Sequence, residues 1–315
     1  MLTNTNYYSG LSDVAAFICV VQAGSFTAAA EQLNTSKSVV SKYISRLEDR
    51  LGAKLLTRTT RRLTLTEVGR TFYQGASQGL EAIESAEEAV SFLQGKPRGT
   101  IRINAPLSFG ALHIAPALQE FLTEYPEVQI DLRFEDRQID MIKEGFDLTV
   151  RITRQLEGNL IARRIAPCRH VLVASPDYVQ QHGMPKEPED LPRHKIIAYQ
   201  YQQSSREWEF TAAQGQPKRI AVDGPIQMNN SLAIREAILA GAGIARMPTF
   251  AVGGDIEAGR LVQLLSAYSL PELSIYLVFP QREYLAPKVR AFIDFMAHRL
   301  EGKPYWDGFQ SKPNY

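Results

Sequence analysis

The residues with the most to say about chemistry lie between positions 36 and 62. Ser36, Lys37, Ser38, Ser41, Lys42 and Ser45 gather at the start and along one side of a predicted helix, and Arg58, Arg61 and Arg62 cluster beyond it. Small hydroxyl side chains let a helix approach a surface closely, and with lysine ammonium groups they donate to phosphate oxygens and to the acceptor edges of bases. On another face of the same helix Val40, Ile44, Leu47 and Leu51 fall at i, i+4, i+7 and i+11, which predicts one buried stripe. The chemistry implied is recognition of a polyanion, not catalysis.

The elements that must position these groups follow from local signals. Leu11, Val14, Ala15, Phe17, Ile18 and Val21 recur at helical spacing, and Gly24 ends that helix. Ser25 caps a second helix over Phe26 to Leu33, Asn34 tolerates the left-handed backbone that closes it, and Ser36 caps the third. Gly52 stops the third helix. The runs Lys54 to Thr59 and Leu63 to Thr66 then read as a hairpin around the basic turn Thr60-Arg61-Arg62. Two short helices joined by a tight turn, with an arginine-tipped hairpin beside the second, predict a winged helix-turn-helix over residues 1–66. From Glu67 to about residue 94 no proline interrupts. Phe72, Ala76, Gly79, Ile83, Ala86, Val90 and Leu93 fit a heptad, so a long linker helix and a homodimer seam are expected.

Charge supports this division. The 315 residues carry a formal charge of only +1, yet residues 1–66 hold +4 and the remainder −3. Other classes are disfavoured. The longest apolar run, Val14 to Val21, is far too short to span a bilayer, and the first residues carry neither a basic leader nor an apolar core, so no membrane partner and a cytoplasmic location are expected. Cys19 and Cys168 lie far apart, and the histidines at 113, 170, 182, 194 and 298 show no ligand spacing, so no metal and no cofactor are expected. Gly241-Ala242-Gly243 follows a helix and precedes a strand, the reverse of a dinucleotide fingerprint.

Residues 11–70 resemble the DNA-binding region of LysR-type transcriptional regulators. The resemblance rests on Ser25-Phe26-Thr27-Ala28-Ala29-Ala30, Ser41-Lys42-Tyr43-Ile44-Ser45-Arg46-Leu47-Glu48, Leu51-Gly52, Leu55-Leu56-Thr57-Arg58-Thr59-Thr60-Arg61 and Leu65-Thr66-Glu67-Val68-Gly69, and it continues to about residue 300. Lys37-Ser38 stands where that family often has Gln-Pro or Pro-Ser. The resemblance implies double-stranded promoter DNA and a small-molecule effector as partners, assembly as a dimer or dimer of dimers, and an effector domain like the two-lobed periplasmic solute-binding proteins.

After the Gly95 to Gly99 hinge, strands and helices alternate, which predicts an α/β regulatory domain over 95–300 with parallel sheet. Helices are predicted over Gly110 to Glu124, Ile139 to Gly145, Ser231 to Ala240 and Pro287 to Leu300. The resemblance implies a first lobe at about 99–167 with 271–300 and a second at about 168–270, and the tail 301–315 is expected to be loose. Open sheets bind ligands at the carboxyl ends of strands, where helix starts offer free N–H groups. That rule selects Pro106, Leu107, Ser108, Phe109 and Glu135 in one lobe and Asn229 and Asn230 in the other, groups suited to an organic acid or another polar metabolite. Arg151 is either a carboxylate partner or a structural ion pair. Two alternative functions use the same cleft, a small-molecule enzyme and a solute-binding protein.

Overall fold

The computed structural model describes residues 6–58, 63–137, 139–142, 144–156, 160–200, 207–281 and 285–311. The chain forms two compact units, residues 1–90 and 91–315.

The first unit begins with α1 (Asn6–Ala23), α2 (Phe26–Gln32) and α3 (Lys37–Leu51). Ser25 accepts from the Ala28 N–H and Ser36 from the Val39 N–H, so both predicted caps satisfy orphan donors. Asn34 takes a φ of 49° and Gly52 a φ of 64°, the left-handed closures the sequence requires. Phe17, Val20, Ala29, Val40, Ile44, Leu47 and Leu55 bury one core. Two apolar residues assigned to buried stripes are exposed instead, Leu11 by 51% and Leu51 by 40%, because each lies on the end turn of its stripe beyond the last packed neighbour. A short antiparallel hairpin, β1 (Leu56–Arg58) and β2 (Leu63–Leu65), follows. The long α4 (Glu67–Gln94) starts where the Thr66 hydroxyl accepts from the Gly69 N–H. Phe72, assigned to the heptad seam, instead packs with Tyr73 against Phe17 in the unit's own core.

The second unit holds two five-stranded sheets. One runs β4 (Val128–Phe134), β3 (Gly99–Ala105), β5 (Leu148–Thr153), β15 (Leu273–Phe279) and β6 (Ile161–Cys168) in spatial order. The other runs β11 (Ile226–Met228), β8 (Ile196–Tyr199), β12 (Ile244–Pro248), β7 (His170–Ala174) and β13 (Val262–Leu264). A third, small sheet joins β9 (Glu207–Ala212) to β10 (Lys218–Ala221) and β14 (Tyr268–Ser269). The chain crosses between the large sheets twice, at Cys168–His170 and between Ser269 and Leu273, where Leu273 pairs with Cys168. Neither large sheet is purely parallel. The returning β15 runs antiparallel to β5 and β6, and β7 runs antiparallel to β12 and β13.

The helix expected at 110–124 begins earlier and is irregular. It comprises α5 (Leu107–Phe109), a π turn (Gly110–Ile114), a 3-10 turn carrying Pro116 and α6 (Leu118–Glu124). Among the described residues the helix expected at 139–145 does not form. Ile139 and Met141 are buried and Ile142 is exposed, a spacing of two that a helix does not give, and the segment makes single turns. Further elements are α7 (Pro176–His182), α8 (Ser231–Leu239), α9 (Thr249–Glu257) and α10 (Pro287–Arg299). Nor is the described part of the tail loose. Residues Tyr305–Ser311 form a 3-10 helix with Trp306 and Phe309 buried, while Asp307 pairs with Arg169.

Candidate functional site

Two sites are built, one in each unit. The first is the outer face of α3. The apolar stripe Val40, Ile44 and Leu47 turns inward, which leaves Lys37, Ser38, Lys42 and Ser45 exposed and Ser41 half-buried. Ser36 and Ser38 share a hydrogen bond of 2.8 Å at the helix start. Among the described residues neither Lys37 nor Lys42 makes an ion pair, so both ammonium groups remain for an outside anion.

Other basic residues of this unit hold the fold. Arg46 clasps the buried Asp13 of α1 through Nε and Nη2 and lies 5.1 Å over the Tyr43 ring. Lys54 donates to Glu48 at 2.6 Å, and the other Glu48 oxygen accepts from the N–H groups of Leu55 and Leu56 at 3.0 and 3.3 Å. Burial would raise the Glu48 carboxyl, but the Lys54 ammonium and those two N–H donors outweigh it and hold it below the usual carboxylate range. This carboxylate therefore ties the hairpin entry to α3. Arg58 is the last residue of β1, and Arg61, with the rest of the predicted basic turn, lies outside the described residues. The charge count alone could not separate Arg46 and Lys54 from Lys37 and Lys42. Their acidic partners are remote in sequence or lie across a turn.

The second site is a cleft of about 1240 Å³ in the C-terminal unit. Of the predicted ligand residues it brings together Pro106, Ser108, Glu135 and Arg151. Leu107, Phe109, Asn229 and Asn230 are not part of its lining. Phe109 is fully buried among His113, Phe250 and Trp306, and Asn229 is exposed. At the helix starts some of the donors expected to be free are engaged. Leu107 gives its N–H to Asp136 at 3.2 Å, and Asn230 accepts from the Leu232 and Ala233 N–H groups to cap α8.

Further polar groups facing the cleft come from strands. Asn104 on β3, Thr149 and Arg151 on β5, His170 on β7 and Arg246 on β12 all line it. Arg151 donates to the Ile139 carbonyl at 3.2 Å and makes no ion pair among the described residues. Two of the carboxylates that line the cleft are engaged. Glu135 pairs with Arg137, and Glu209 with Arg154 and Arg219. Burial pulls the Arg246 guanidinium down to about 10, and its charge lies 5.9 Å from the Trp208 ring centre. Burial, aided by the Arg246 charge, lowers His170 to about 3, so this imidazole is neutral. Burial raises the Asp136 carboxyl and the Cys168 thiol, which leaves that cysteine unreactive. Sequence reasoning missed Asn104, Thr149 and Arg246. Its search rule looked beyond strand ends, and these residues point from within strands. Among the described residues no cluster of His, Cys, Asp and Glu suits a metal, and no single helix is long and apolar enough to cross a membrane.

Residues 11–70 match the family described as bacterial regulatory helix-turn-helix protein, lysR family, and residues 94–301 match the LysR substrate binding domain. The chain is 37% identical over 297 residues to the HTH-type transcriptional regulator PtxR of Pseudomonas aeruginosa, covering 94% of each. It is similar to the full-length structure of the Vibrio cholerae virulence activator AphB, with a TM-score of 0.63, 31% identity, and coverage of 91% of this chain and 98% of that one. For CrgA, a LysR-type transcriptional regulator from Neisseria meningitidis, the TM-score is 0.61 and the identity 29%, over 92% and 99% of the two chains.

Proposed function

Because the chain belongs to the LysR family of bacterial transcriptional regulators, whose members bind DNA and small-molecule effectors and form oligomers, we propose a division of labour among its own residues. Ser36, Lys37, Ser38, Ser41 and Lys42 read operator DNA from α3, and Arg58 and Arg61 grip the flanking backbone. A homodimer built along α4 presents two such faces to two half-sites in the cytoplasm. The effector is a small organic acid, held in the cleft by Arg151 with Arg246, and Pro106, Ser108 and Glu135 shape its surroundings.

One observation carries the acid. The arginines at 137, 154 and 219 are met by carboxylates, whereas Arg151 spends a single N–H on a backbone carbonyl and turns to the cavity. A guanidinium in such a place matches a carboxylate in a bidentate fork. The test is fluorescence anisotropy of the full-length protein on its own upstream promoter, with carboxylic acids and their neutral amides added in matched pairs. The expected result is a change in promoter binding with acids alone, lost in Arg151→Gln while basal DNA binding persists. Equal responses to acids and amides would remove the reading.

A further inference from the structure

We infer that the cleft takes a carboxylic acid that also carries a hydrogen-bond donor, a hydroxyl or an ammonium, away from its carboxylate. The inference rests on the acid-binding reading above and supplies the other half of the ligand.

Two strand residues carry it. Asn104 and Thr149 line the cleft and are only 4% and 1% exposed, yet Asn104 Oδ1 and Thr149 Oγ1 meet no hydrogen-bond partner among the described residues. Buried polar atoms are nearly always paired, so two orphans in one cavity wall need a reason. Packing does not supply one, because an apolar residue of similar shape fills either place at lower cost.

The two are also neighbours. Asn104 and Thr149 are register partners across β3 and β5, so their side chains stand side by side on one face of the sheet. Arg151 is two residues further along β5 and shares that face, at a rise of about 7 Å from Thr149. The wall therefore presents a cation at one place and a pair of unsatisfied oxygens one strand repeat away.

The chemistry of those oxygens selects the partner. An amide oxygen only accepts, so Asn104 awaits a donor; the Thr149 hydroxyl accepts from the same group or donates in turn. Asp136 lies in the same lining and adds another acceptor. A ligand that placed a methyl group there would strand both oxygens. Sites built to bond a ligand hydroxyl or amine reject the analogue lacking it by just this means.

The experiment is titration calorimetry of the full-length protein with two matched sets of probes. One is butyrate, γ-hydroxybutyrate and γ-aminobutyrate; the other is phenylacetate with its para-hydroxy and para-amino derivatives. In a set that binds, a donor-bearing member is expected to bind about tenfold tighter than its parent acid. That margin should vanish in Thr149→Val and in Asn104→Leu, with the parent acid's affinity kept. Thr149→Val preserves shape and should melt no lower than the unmodified protein. A lower melting point with the margin intact would make the hydroxyl structural and overturn the inference. Parent acids that bind as tightly as their donor-bearing partners overturn it too, and leave the acid reading standing. If no member of either set binds, both fall together.

Discussion

The two candidate sites handle polar groups in opposite ways. On α3 the side chains available for a partner are solvated, and the buried acids Asp13 and Glu48 are spent on internal bonds to Arg46, Lys54 and backbone N–H groups. In the C-terminal unit unsatisfied polarity is inside, at Asn104 and Thr149, and His113 is buried without charge. The contrast separates a surface that recognises a partner by attraction from a cavity that selects one by the penalty for a wrong fit.

The largest expected effect follows from the buried imidazole. His113 Nε2 donates to the Phe250 carbonyl at 3.1 Å, which leaves Nδ1 to accept from the Tyr305 hydroxyl at 2.6 Å. Burial lowers its pKa from 6.5 to about 4, so between those values the unfolded chain binds a proton that the native one refuses. Stability of the C-terminal unit is therefore complete above 6.5 and is lost as pH falls toward 4, by about 1.4 kcal/mol per pH unit from this group. Glu48 works in the same sense but in a lower pH window. Its depressed pKa gives stability that persists above the ordinary carboxylate range and is lost only below it. Calorimetric melts across mildly acidic pH should show the C-terminal transition moving down while the N-terminal one holds. Transitions that move together would break the comparison.

A second expected effect is confined to the N-terminal unit. A Cβ at Gly69 would stand 2.0 Å from the Leu55 carbonyl oxygen, a backbone atom that cannot swing away. The first turn of α4 packs this closely because Thr66 bonds the Lys54 carbonyl at 2.7 Å and caps the helix. Gly69→Ala should cost about 2–3 kcal/mol. Differential scanning calorimetry should place the loss in the N-terminal transition, with DNA affinity falling and effector affinity unchanged. An unaltered transition would mean that the helix start is not fixed as described.

These contrasts also explain what was legible in the sequence. Ser25, Asn34, Ser36 and Gly52 act through hydrogen bonds and backbone angles within a few residues, so the helix-turn-helix could be read directly. The cleft could not. Asn104 and Thr149 meet only because β3 and β5 pair, and Arg246 arrives from the other sheet, so no window of sequence contains the site. The segment at 139–145 and the tail failed for a related reason. Met141 and Phe146 pack with Val278, and Trp306 and Phe309 pack with the core, so distant partners overrode local pattern.

The smallest expected effect bears most directly on the recognition face. Lys42 is exposed on α3 and makes no ion pair among the described residues, so its removal exposes nothing buried and leaves no acid stranded. Lys42→Ala should leave the melting point unchanged within error. A phosphate contact made by this ammonium displaces about one condensed counterion, so the slope of log affinity against log salt should become shallower by about one. The loss should be similar on specific and scrambled duplexes, because a phosphate carries no sequence information. Arg46→Ala provides the opposite case on the same helix. It uncovers Asp13, which is buried, and should lower the melting point before it alters the salt slope. If Lys42→Ala instead weakened only the specific duplex, Lys42 would be a reader of bases, and attraction and selection would meet on one helix.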